Sequence, residues 1–182
     1  MARITLVRHG QAAAGFGEDH DPGLSNVGRR QAAAAADAVE SLGPLPILCS
    51  PLRRCRETAQ VLAHRWGVTP TVDAAVGEIT SPTDDLAGRT AWLRDAMQGP
   101  WSALDDERQT WRAAVVDRLL RIDTDTVVHS HFIAINAAVG AALGEDRVVC
   151  FAPDNCSVTT LDTDGSTLTV VSLGGQAVTE VR

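Results

Sequence analysis

No lysine occurs anywhere in the 182 residues; all 16 basic side chains are arginine. That absence excludes several chemistries, because Walker-type phosphate loops, Schiff-base and pyridoxal enzymes and protein kinases each set a lysine amine at the reacting centre. Any phosphate recognition falls to arginine, whose planar fork suits the task. Long hydrophobic runs are also missing. No apolar stretch approaches the ~20 residues that span a bilayer, and the opening Met1 to Gly10 meets charge too early for a signal peptide. The expectation is a cytoplasmic protein with no membrane partner. Net positive charge is lacking too. A formal charge of -7 and a pI near 5.1 oppose nucleic-acid binding, which rests on neutralised phosphates. There is no H-E-x-x-H, no G-x-S-x-G and no complete G-x-G-x-x-G, since Gly15-Phe16-Gly17 lacks the third glycine.

Cysteine is sparse and badly spaced for metal. Cys49 and Cys55, like Cys150 and Cys156, have five residues between them, not the two of a structural zinc site. Neither Cys49 nor Cys150 is followed six positions later by the arginine of a cysteine-phosphatase loop. All four read as small hydrophobes, and no metal or other cofactor is expected. Asp123-Thr-Asp125 resembles an aspartyl-phosphate motif but comes late in the chain, so it reads as a turn.

With 45% apolar and 21% charged residues, the composition is that of one globular domain over 1–182. Arg3 to Val7 reads as a buried strand, followed by a Gly/Asp/Pro loop and a helix capped by Ser25 running to about Leu42. Pro46 to Cys49 is a second strand, with Ser50 capping the next helix and Pro51 in its first turn. Thr71 to Val76 suggests a third strand. Helices follow near Leu86 to Met97 and Ala103 to Ile122, then a strand from Thr126 to His129 and a helix through about Leu143. Ser157 to Leu161 and Thr167 to Leu173 read as a hairpin. This alternation predicts an α/β fold, a three-layer α/β/α sandwich around a mostly parallel sheet with an antiparallel edge.

Ligands in such sheets bind beyond the carboxyl ends of the strands. Arg8-His9, Arg53-Arg54 and His131 all fall there, gathering guanidinium and imidazole groups on one rim of an acidic protein. The first turn of the helix after Ser50-Pro51 adds free amides and a positive dipole end. A phosphoryl group fits that set.

Several segments resemble the histidine phosphatase superfamily, the phosphoglycerate-mutase-like enzymes. Leu6-Val7-Arg8-His9-Gly10-Gln11 is similar to its signature, Leu24 to Ala32 to its L-[ST]-x-x-G-x-x-Q-A helix start, and Ser50 to Ala59 to its S-x-L-x-R-[AC]-x-x-T-A segment. Val127 to Phe132 resembles the strand carrying its second histidine, and Asn155-Cys156-Ser157-Val158 its N-x-S-V segment. The resemblance implies a phosphoglycerate-mutase-like fold, with His9 as the nucleophile that is phosphorylated. Arg8 and Arg54 would grip the phosphoryl oxygens and His131 would be a further donor. By the family pattern Arg54 is preferred to Arg53, and His131 to His129. Glu78 is the candidate acid, with Asp84 and Asp85 as alternatives, and Gln11 and Asn155 are candidate substrate-binding residues. The implied activity is hydrolysis of a small phosphorylated metabolite. A mutase, a protein phosphohistidine phosphatase and a noncatalytic phosphate-binding module remain as alternatives, though only 52 residues separate Ile79 from Ser130 inclusive, little room for the shielding a mutase needs. Oligomeric state is left open, a homodimer included.

Overall fold

In the computed structural model, residues 1–176 are described; the last six residues of the expected 1–182 domain lie outside the described residues. The β-branched run near the start forms strand β1, Ala2–Arg8. Helix α1, Asn26–Val39, starts where Ser25 accepts a hydrogen bond from the Gly28 amide and passes into a 3₁₀ turn at Glu40–Leu42. Then come β2 (Ile47–Cys49) and α2 (Arg53–Trp66), closed by Gly67 in the left-handed conformation. β3 (Thr71–Val72), α3 (Leu86–Ala96) and α4 (Asp106–Leu120) lead to β4 (Thr126–Ser130) and α5 (Phe132–Leu143). A hairpin of β5 (Val158–Thr163) and β6 (Leu168–Ser172) follows.

The six strands form one sheet in the order β3-β2-β4-β1-β5-β6. β3, β2, β4 and β1 are parallel; β5 runs antiparallel to β1, and β6 to β5. Strand alternation divides the core in two. Val7, Ile47, Cys49 and Val127 face α1 and α2, meeting Ala35, Val39, Ala59 and Leu62. Ile4, Leu6, Leu48 and Val128 face the other way, toward Leu93, Val115, Leu119 and Ile133 of α3, α4 and α5. The result is the expected three-layer α/β/α sandwich, mostly parallel with an antiparallel edge. Because β4 inserts between β2 and β1, the carboxyl ends of all three lie side by side.

Three local expectations are corrected. Ser50 does not cap α2: the helix begins at Arg53, and the Ser50 hydroxyl accepts from the Leu52 amide at 3.2 Å. A residue before proline is biased away from helical geometry. The third strand stops at Val72, because the Asp73 carboxylate accepts from the Ala75 amide and opens a 3₁₀ turn over Ala74–Val76. α4 starts after Leu104, with Asp105 as its cap, and Trp101–Ala103 forms a separate 3₁₀ turn. Asp125 accepts from the Arg3 amide at 2.8 Å, in keeping with a turn reading of Asp123-Thr-Asp125.

Close approach explains two glycines. A Cβ on Gly10 would stand 2.5 Å from the Gly28 carbonyl oxygen, and one on Gly28 would collide with the Gln11 backbone. The chain leaving β1 therefore lies flat on the first turn of α1.

His129, in register with Val7 and Cys49, points by alternation into the α1/α2 core. It is buried, and neither ring nitrogen has a hydrogen-bond partner among the described residues. Burial lowers its pKa to about 4. Since the folded value lies below the ordinary 6.5, its neutral form favours folding above that pH, and the contribution is lost as pH falls toward 4. His129→Leu is expected to remove about 2 kcal/mol of the acid destabilisation that the wild type shows between about pH 7 and about pH 4.5. Urea unfolding at both pH values checks this; parallel pH curves for the two proteins would refute it.

Candidate active site

The carboxyl end of β1 delivers Arg8 and His9. His9 continues the sheet pairing by donating its amide to the Ser130 carbonyl at 3.0 Å. The turn before β5 clamps this corner: the Cys156 amide donates to the Arg8 carbonyl at 3.0 Å and the Asn155 Nδ2 to the His9 carbonyl at 3.0 Å. Cys156 adopts φ 59° to do so, a left-handed conformation rare outside glycine. From α2, the Thr58 hydroxyl donates to the Arg54 carbonyl at 2.7 Å and accepts from the Gly10 amide at 3.1 Å, joining the helix to the loop after His9.

Arg54 lies between two imidazoles. Its Nε donates to His9 Nε2 and its Nη2 faces His131 Nδ1, each at 3.2 Å. A guanidinium can only donate, so both ring nitrogens must present lone pairs. The remaining ring protons follow: His9 Nδ1–H donates to the Gly10 carbonyl at 2.7 Å, and His131 Nε2–H to the Ser50 hydroxyl at 2.7 Å. The rings sit 5.1 Å apart, edge to face. Arg8 donates from Nη1 to the Pro153 carbonyl at 2.8 Å and its guanidinium carbon lies 5.1 Å from the Phe132 ring centroid. Its Nε is buried without a partner among the described residues, and such a donor is one that a bound anion satisfies.

Electrostatics favour an uncharged His9. Burial first, then Arg54 and Arg8, hold His9 well below the ordinary histidine pKa. His131 is lowered likewise by burial, then by Arg54, His9 and Arg8. Glu78, on the loop after β3, accepts from the Ile79 amide at 2.9 Å and from the Ile133 amide in the first turn of α5 at 3.3 Å. Burial nonetheless pushes its pKa up, outweighing those amides and the pull of Arg54 and Arg8. Arg8, His9 and Arg54 retain 9%, 7% and 8% exposure against none for His131, so the first three edge onto solvent.

Thus Arg8, His9, Arg54 and His131 come together, with Glu78 within their field. Arg53 turns to solvent and donates to Glu57 at 2.7 Å, and His129, still within β4, points into the α1/α2 core away from the site. Asp85 is spent as the cap of α3, accepting from the Gly88 amide at 2.6 Å, and Asp84 is exposed. Gln11 accepts from the Ser25 hydroxyl at 2.8 Å, and Asn155 braces the backbone at His9 through the His9 carbonyl. The expected anion cradle at the start of α2 is corrected: the Arg53 amide already donates to Asp21 at 2.7 Å. Sequence reasoning missed Ser50 and Thr58 as partners of His131 and Gly10, although both lie in the quoted Ser50 to Ala59 segment. Among the described residues, no three His, Cys, Asp or Glu side chains gather as a metal-binding group.

An α/β sheet with a cationic, imidazole-bearing rim defines the class of protein. The model of the histidine phosphatase superfamily (branch 1) matches residues 4–175, and the chain belongs to that family. A glucosyl-3-phosphoglycerate phosphatase from Mycolicibacterium vanbaalenii is 34% identical over 164 residues, covering 82% of this chain and 67% of that protein. A probable phosphoglycerate mutase, GpmB, from Yersinia pestis is 30% identical over 163 residues, covering 79% and 76%. Among solved structures, phosphoserine phosphatase from Entamoeba histolytica in complex with 3-phosphoglyceric acid superposes with a TM-score of 0.76 at 20% identity, covering 97% of this chain and 98% of that one. No helix among the described residues is long and apolar enough to cross a membrane.

Proposed function

We propose that this chain hydrolyses a small phosphorylated metabolite through a phosphohistidine on His9. The observation that carries the reading is the state of His9: its Nδ1–H is committed to the Gly10 carbonyl, and its Nε2 lone pair faces the Arg54 guanidinium. A phosphoryl dianion offers Arg54 better acceptors than two imidazoles do. As it arrives, Arg54 turns to the phosphoryl oxygens, the orphan Nε–H of Arg8 joins it, and Nε2 is uncovered. Nε2 then attacks phosphorus in line; the new P–N bond forms as the ester P–O bond breaks, and Glu78 gives its proton to the leaving oxygen. In the second half a water attacks phosphorus, its proton returns to Glu78, and the P–N bond breaks to release phosphate. Family membership supports the reading, and the relatives named above are phosphatases and a probable mutase.

Hydrolysis of p-nitrophenyl phosphate with rapid quenching tests it. The expected result is turnover together with acid-labile, base-stable phosphate on the protein. Formation of 2-phosphoglycerate from 3-phosphoglycerate in place of glycerate and phosphate would support a mutase instead. Neither turnover nor phosphoprotein would leave a binding module.

A further inference from the structure

The Gly10 carbonyl that receives His9 Nδ1–H at 2.7 Å belongs to the peptide unit joining Gly10 to Gln11. That unit is trans and planar, so its N–H and C=O leave from opposite edges. The Gln11 N–H donates to the side-chain Oε1 of Gln31 at 2.8 Å. Since a backbone amide only donates, the Gln31 oxygen, not its NH₂, faces the loop. Gln31 thus grips one edge of the peptide whose other edge grips the His9 ring.

The sequence of α1 makes this reach possible. Gly28 puts no side chain between the helix and the Gln11 backbone; a Cβ there would stand 2.1 Å from the Gln11 carbonyl oxygen. Gln31 follows three residues later on the same face, and helix side chains tilt toward the N-terminus, so it lies back over the space that Gly28 leaves. The neighbouring groups are held by others. The Gly10 amide donates to Thr58 at 3.1 Å, and the Gln11 carbonyl accepts from the Ser25 amide at 2.9 Å. Between them the Gly10–Gln11 peptide is left to turn about ψ of Gly10 and φ of Gln11, and a glycine resists that turn little. Gln31 opposes it.

In the free protein the His9 tautomer is fixed twice, by the Gly10 carbonyl at Nδ1–H and by Arg54 at Nε2. Once Arg54 turns to the phosphoryl oxygens, only the first hold remains. A Gly10 carbonyl that swung away would leave the proton free to settle on either ring nitrogen. The new P–N bond also places positive charge on the ring, which strengthens the bond from Nδ1–H, and a carbonyl whose own peptide N–H is already bonded is the better acceptor.

We infer that Gln31 is a positioning residue for the nucleophile: through the Gly10–Gln11 peptide it keeps the His9 proton on Nδ1 and the lone pair on Nε2 while phosphorus is attacked. The inference rests on the phosphohistidine reading and deepens it.

Three variants test it. Gln31→Met and Gln31→Ala remove the acceptor and keep a strong helix former in α1, whereas Gln31→Glu keeps an acceptor oxygen. With p-nitrophenyl phosphate and rapid quenching, the first two should lower the maximal rate of phosphoprotein formation about 3- to 10-fold, within the worth of one hydrogen bond, with the half-saturating concentration little changed. Gln31→Glu should recover most of the loss. A second measurement needs no turnover. In an Arg54→Met background at about pH 8.5, where an ordinary imidazole is neutral, proton–nitrogen correlation spectra should show His9 with one protonated and one lone-pair nitrogen. Adding Gln31→Met should draw the two nitrogen shifts together, and adding Gln31→Glu should keep them apart. A rate change of less than about twofold, a loss confined to the half-saturating concentration, an equal loss in Gln31→Glu, or nitrogen shifts that ignore Gln31 would each overturn the inference and leave the phosphatase reading standing. A wild type that forms no phosphoprotein overturns the phosphatase reading instead, and the nitrogen shifts then still decide whether Gln31 sets the His9 tautomer.

Discussion

His9→Ala is expected to lower kcat for p-nitrophenyl phosphate by at least about 10⁴-fold, in line with losses seen when a covalent nucleophile is removed elsewhere, and to abolish the quenched phosphoprotein entirely. Among the described residues, no other group stands ready to replace it. His131, the nearest imidazole, also turns a lone pair, at Nδ1, toward Arg54, but its ring is wholly buried, so an ester cannot reach it in line. The loss should not come from unfolding. The His9 ring is one whose protonation the fold resists, because burial, Arg54 and Arg8 hold its pKa well below the ordinary value. Neutral His9 therefore favours folding above the ordinary histidine pKa, and that contribution is lost as pH falls through the lowered folded value. Removing the ring should make stability less sensitive to acid. Urea unfolding near neutral pH and in acid, run beside the quench, separates the two effects. Residual phosphoprotein in the variant would show that phosphorus is carried elsewhere and would sink the mechanism.

The fold was legible in the sequence because its elements are marked by strong local chemistry. Ser25 before an alanine-rich run, Gly67 after an amphipathic helix and Gly144 after an apolar one, and the β-branched strands each point to one structure, and long-range packing agrees with them. What failed to show was chemistry fixed by distant partners. Ser50 has the local signature of a helix cap, yet its hydroxyl meets His131, 81 residues away. Asp21 looks like one more loop aspartate until the fold sets it over the first amide of α2. For the histidines, alternation alone left His129 and His131 equivalent; the strand ends at Ser130, and only that turn separates a core ring from a site ring.

Arg54→Ala is expected to cost more than Glu78→Ala, and the margin should depend on the leaving group. Phosphate-monoester hydrolysis calls for enhancements of up to about 10²¹, of which one general acid supplies roughly 10² to 10⁴. Removing a single donor to developing charge costs about 10² to 10³. Arg54 presents two, and it also fixes the tautomers of His9 and His131, so a loss of about 10³ to 10⁵ in kcat/KM follows. With p-nitrophenyl phosphate the departing oxygen is a weak base and needs little protonation; Glu78→Ala should then cost less than about tenfold. With glycerol 3-phosphate, whose alkoxide must be protonated, the same variant should lose about 10² or more. The pH profile gives a second test. Activity needs neutral His9, whose lowered pKa puts the acid limb below the ordinary histidine range. It also needs protonated Glu78, whose raised pKa governs the fall on the alkaline side. Glu78→Gln should flatten that alkaline fall with glycerol 3-phosphate and leave the acid limb in place. Equal losses for the Arg54 and Glu78 variants on both esters would mean that proton transfer, not charge stabilisation by the guanidinium groups, carries the reaction.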